Sequence, residues 1–212
     1  MLERTVKEAF EKVKAGFGLP VDVRLDIYRT REEAEKARGQ EIEESRFAFS
    51  DPRDYSVVCI LGSWPIRNHS KKAEYLEGVL AEEIGHLEYD STHEEMTAVH
   101  IHLGLFLHLY QFCAVSNGIE AGFGNQLFEF YKIATTKTKY VPASVDEIIG
   151  VFPAIAALSV KYDTKKMIDL YLKTLPIEIR KEAEKYSFLL DAKSYADESN
   201  LIKDWESATK RL

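Results

Sequence analysis

Apolar residues recur at helical spacing from residue 2 to 16, where Leu2, Val6, Phe10 and Val13 share a face and Gly16-Phe17-Gly18 stops the pattern. From Val21 to Tyr28 the period changes to two, the signature of a half-buried strand. Thr30 then opens a short charged helix to about Ala37. Arg46 to Ser50 reads as a second strand, Asp51-Pro52-Arg53-Asp54 as a turn, and the β-branched run Tyr55 to Leu61 as a buried strand. Gly62-Ser63-Trp64-Pro65 ends it. The pattern beyond is helical: Lys71 to Tyr89, a break at Asp90-Ser91-Thr92, and a further helix to about Val115. Ser91 with Glu94, or Thr92 with Glu95, offers that helix a capping box. Ile119 to Ala134 follows, then a capping box of Ser144 with Glu147 and helical patterns over roughly 145–161, 165–174, 177–190 and 199–211. This order predicts an α+β fold: a small N-terminal sheet with flanking helices (residues 1–115), then a mainly helical C-terminal part (116–212) packed with it as one unit.

Composition narrows the picture. A chain of 212 residues buries roughly 70% of its unfolded surface and needs no staple to fold. Its net charge of −7 argues against a nucleic-acid surface, which would want a basic stripe. Cys59 and Cys113 lie in apolar runs without CxxC spacing, as free thiols of a reducing cytoplasm do. Residues 1–18 alternate charge with apolar positions, unlike a signal peptide. The apolar stretch Met96 to Val115 carries His100, His102, His108 and Gln111, which suits a buried helix better than a membrane span. Scarce Asn and Gln beside abundant Lys, Glu and Arg lean toward a thermophile.

The acid excess is localised. Between residues 66 and 100, Arg67, Lys71 and Lys72 face Glu74, Glu77, Glu82, Glu83, Glu88, Asp90, Glu94 and Glu95, and all six histidines fall in or just after this window. Carboxylates and imidazoles gathered together are the material of a cation site. Winding the helix over 71–89 at about 100° per residue puts Glu83 in the apolar stripe of Leu76, Val79, Leu80 and Leu87, with His86 and Glu82 on one flank. A carboxylate so placed must be paired, protonated or metal-bound.

Glu82-Glu83-Ile84-Gly85-His86-Leu87 resembles the His-Glu-x-x-His helix of the zincin metallopeptidases, in the minimal gluzincin form, with a strand and loop before it and a helix after it. The resemblance implies that His86 is a metal ligand, that Glu83 is the general base, and that Glu82 stands where the first histidine would be. A carboxylate can ligate zinc, so a divalent ion, zinc first, remains compatible with Glu82 and His86. The third ligand is expected from the next helix, where Glu94, Glu95, His93, His100 and His108 are available and spacing selects none of them. The implied activity is metal-assisted peptide hydrolysis, or a degenerate relative of it.

Two other readings stay open. Glu83-x-x-His86 also resembles the carboxylate-bridged metal bundles of the ferritin type, although the strands and the lack of a second such pair downstream speak against it. Alternatively Glu83 and His86 are bonded internally in a non-enzymatic protein whose C-terminal helices, nearly balanced in charge, form an interaction or homo-oligomer surface.

Overall fold

The computed structural model describes residues 2–19, 21–43, 46–64, 72–92, 103–136 and 145–209. Helix α1 (Leu2–Lys14) buries Val6, Ala9, Phe10 and Val13, an i, i+3, i+4, i+7 set. Strand β1 (Arg24–Tyr28) leads to α2 (Arg31–Arg38). The Thr30 hydroxyl accepts from the Glu33 N–H at 3.3 Å to cap α2, and Gly39 closes it in the left-handed region. Strands β2 (Ala48–Asp51) and β3 (Ser56–Ile60) complete a sheet of order β1-β3-β2, in which β1 runs parallel and β2 antiparallel to β3.

Alternation along β3 builds two layers. Val57 and Cys59 join the core formed with α1 and the helices that follow, whereas Val58 and Ile60 pack with Phe49, Ala34 and Ile42 on the α2 side. Arg38 clamps that side. Its nearly buried guanidinium pairs with Asp26 of β1, Asp51 of β2 and Asp54, and donates to the Ser56 hydroxyl of β3 at 2.8 Å.

Helix α3 (Lys72–Thr92) carries the motif. It runs through the expected break at 90–92, where the Ser91 and Thr92 hydroxyls both donate back to the Glu88 carbonyl, at 2.8 and 3.0 Å. Helices α4 (Leu103–Gly118) and α5 (Gly124–Thr136) flank α3 and are joined by a single π turn in which Gly122 has φ 96°. The expected helix over 145–161 is two, α6 (Val145–Ile149) and α7 (Phe152–Ser159). Pro153 sits in the first turn of α7 and lacks the N–H needed to extend α6 through it. Helices α8 (Lys165–Thr174), α9 (Ile177–Glu184) and α10 (Glu198–Thr209) follow, with short 3₁₀ turns at 187–190 and 192–196.

The α+β class holds. One core cluster joins Val6 and Phe10 of α1, Val57 of β3, Leu76 and Leu80 of α3, Ile155 and Leu158 of α7 and Met167 of α8. A second gathers Leu105, Phe152, Tyr171, Tyr186 and Leu201. Among the described residues, no helix is long and apolar enough to cross a membrane.

Candidate functional site

Midway along α3, three polar side chains leave the helix toward different neighbours. Glu82 faces α4 and α5. Gln111 Nε2 donates to its Oε1 at 2.8 Å and the Tyr131 hydroxyl to its Oε2 at 2.7 Å, while Gln111 Nε2 also reaches the Tyr131 hydroxyl at 2.8 Å, closing a ring. Glu83 faces β2, where its Oε2 accepts the Ser50 backbone N–H at 2.8 Å. Register explains that donor. The Ile60 N–H bonds the Phe47 carbonyl, so alternate pairs place Ser50 and Ala48 at positions whose N–H and C=O turn away from β3. The edge of the sheet that pairs with no further strand among the described residues therefore runs beside the motif helix.

His86 is buried, and its ring lies 4.2 Å from that of Tyr110 on α4 at 33°. Tyr110 is held in turn by its hydroxyl bond to Asp90 at 2.7 Å. The His86 Nδ1 has no hydrogen-bond partner, a feature uncommon enough in a native interior to ask for a ligand or a water.

These groups open on one cavity of about 790 Å³. Glu82, Glu83, His86, Arg46, Ser50 and Gln111 line one end, and Leu107, His108, Asp146, Ile149 and Trp205 the other.

Burial sets the protonation. It raises Glu82, against the opposing pull of Tyr131 and Gln111. Glu83 is pushed up to about 8 by burial first and the neighbouring Glu82 charge second, with Ser50 and Arg46 acting the other way. Glu82 has two side-chain donors, so of the adjacent pair Glu83 keeps the proton. Burial brings His86 down to about 4, so the imidazole is neutral and retains a lone pair for an electrophile.

The i, i+4 spacing thus delivers Glu82 and His86 to one cavity with Glu83 beside them. Two of the positions of a cation site fit: an imidazole with an unpartnered nitrogen, and a carboxylate fixed by two donors. Among the described residues, no group of three or more His, Cys, Asp and Glu side chains is arranged to hold a metal ion. His93, Glu94, Glu95 and His100, expected to supply the third ligand, lie outside the described residues, as do the capping partners Ser144, Glu94 and Glu95. His108 lines the far end of the same cavity. A three-stranded sheet against the motif helix is foreign to a carboxylate-bridged helical bundle.

Ser50, Tyr110, Tyr131, Arg46, Asp146 and Trp205 were not legible as site residues. Gln111 left a signal, a strong hydrogen-bonding group inside an apolar helical run, and Tyr131 was hidden in an aromatic series that reads as core. Comparison of the chain with models of protein families, with curated proteins and with solved structures finds no match in any of the three.

Proposed function

We propose that the protein is a zincin-like hydrolase of extended peptides that works with a divalent cation, zinc first, held in part by Glu82 and His86. The observation that carries this reading is His86, buried with an unpartnered Nδ1 in the same cavity as two carboxylates of its own helix. When bound, such an ion polarises a carbonyl and activates a water. Glu83 is the group that takes and returns the proton, since its affinity for one is tuned near neutrality. Ala48, on the outer edge of β2 and in the cavity wall, turns its N–H and C=O away from β3, where an extended backbone can pair as an added strand. Gln111 and Tyr131 keep Glu82 in place. The free thiols Cys59 and Cys113 suit a reducing interior, so the proposal puts this activity in the cytoplasm.

The test is metal analysis with a hydrolysis assay on unstructured peptides. Wild type should retain a stoichiometric divalent ion that His86→Ala loses, whereas Glu83→Gln should keep the ion and lose about 10²-fold or more in turnover. Equal, substoichiometric metal in wild type and His86→Ala would sink the reading. A second reading, a non-enzymatic structural role, draws on the complete engagement of both Glu82 oxygens. It expects Glu82→Gln to lower thermal stability equally with and without chelator.

A further inference from the structure

The far end of the cavity has a chemistry of its own. His108 is only 6% exposed and lines the cavity, and its buried Nδ1 has no hydrogen-bond partner. Its ring centroid lies 5.1 Å from that of Trp205, which sits 5.7 Å from Tyr186. Asp146 stands exposed at the same end, and its negative charge acts on both His108 and Tyr186. Among the described lining residues Arg46 is the one cation, and its charge acts at the other end, on Glu83 and His86. Burial holds the His108 imidazole neutral, so one of its nitrogens accepts a hydrogen bond. A carboxylate, a neutral imidazole acceptor and an indole beside them are complementary to an organic cation, which takes hydrogen bonds from the first two and lies against the third.

We infer that this end of the cavity receives the ammonium or guanidinium head of a basic side chain, with Asp146 as its charge partner, the neutral His108 imidazole beside it and Trp205 as the aromatic wall. The assignment of that side chain to a peptide rests on the hydrolase reading above, and it makes the substrate a peptide with a lysine or arginine near the bond that is cut. Asp146 selects by charge. His108 and Trp205 exclude an anionic side chain, because neither offers it a cation and the carboxylate repels it.

Binding, independent of turnover, tests the inference. Trp205 and Trp64 give two indole N–H resonances, which Trp64→Phe assigns, and Trp64 packs on Phe47 and Tyr75 outside the cavity lining. Titration of the full chain with N-acetyl-lysinamide or N-acetyl-argininamide should shift the Trp205 signal saturably. The neutral N-acetyl-norleucinamide should leave it in place, and Asp146→Asn should weaken the lysinamide by about tenfold, the effect of removing one charge-assisted hydrogen bond. Asp146 is exposed, so that variant folds. An equal shift by norleucinamide, or wild-type affinity in Asp146→Asn, would overturn the proposal. Putrescine binding more tightly than lysinamide would overturn its assignment to a peptide side chain in favour of a free amine. A lysine-selective shift without any hydrolysis supports the cation site and removes only the hydrolase; hydrolysis indifferent to basic residues, with no shift, does the reverse.

Discussion

Glu82 and Glu83 are neighbours in sequence with opposite surroundings, and that difference has a thermodynamic sign. Burial raises Glu83 from 4.5 to about 8, so between those values the folded protein keeps a proton that the unfolded chain has released. Stability from this group is complete below 4.5 and is lost as pH rises toward 8. His86 and His108, lowered from 6.5 to about 4, act oppositely: the unfolded chain binds their protons first, so they make stability rise with pH up to 6.5. Above 6.5 the histidine contribution is flat. In metal-free protein the unfolding free energy should therefore fall from pH 6.5 to 8, by at most about 1.4 kcal/mol per pH unit for the shared proton, and the melting temperature with it. Glu83→Gln should flatten it, and an undiminished slope in that variant would move the proton to Glu82. Glu83 was legible from the helical wheel alone, because a carboxylate in an apolar stripe stands out whatever the fold. What it touches was not, since the Ser50 N–H is a backbone group, identical in every residue of the strand.

At the scale of elements, the site depends on how closely α3 and α4 approach. A Cβ at Gly85 would collide with the Ala114 carbonyl oxygen, and Asn117 Nδ2 donates to the Gly85 carbonyl at 3.2 Å. One turn earlier on α4, Gln111 meets Glu82. The backbone contact sets the distance and the amide uses it. Gly85→Ala should cost about 1–3 kcal/mol in a denaturant melt, the range for overpacking a close contact. It should also loosen the Gln111–Glu82 bond by pushing α4 outward, visible as a shifted Gln111 side-chain amide signal. Wild-type stability in Gly85→Ala would show that the helices part without resistance. Most elements were legible because α1, α2, β3 and α8 obey their own local periodicity and caps. Two boundaries were misread: the break placed at 90–92, where the Ser91 and Thr92 hydroxyls bond back into a continuing helix, and the join at Pro153, whose breaking effect falls inside an apolar run that reads as continuous helix.

For the molecule as a whole, the cavity is a seam. The sheet contributes Ser50, α3 and α4 contribute Glu83, His86 and His108, and the distant α6 and α10 contribute Asp146 and Trp205. No sequence window contains such a set, which is why the acidic end was legible and the far end was not. The shared core makes the same point energetically: removing α7 and α8 would take Ile155, Leu158 and Met167 out of it and uncover the residues they pack on. A fragment of residues 1–136 should then show helical far-UV dichroism but no cooperative melt, together with dye-binding apolar surface. A sharp transition in that fragment would establish the N-terminal part as an independent unit.

That shared cluster also bears on how the protein is made. Val6, Phe10 and Val13 belong to the same core as Ile155 and Leu158, about 145 residues further along the chain. At roughly 5–20 residues per second on the ribosome, the core that the first helix joins is completed on the order of ten seconds or more after that helix is made. Through that interval the faces of α4 and α5 that α7 and α8 cover stay open, and the nascent chain is a client for whatever holds unfinished surfaces apart in the cell.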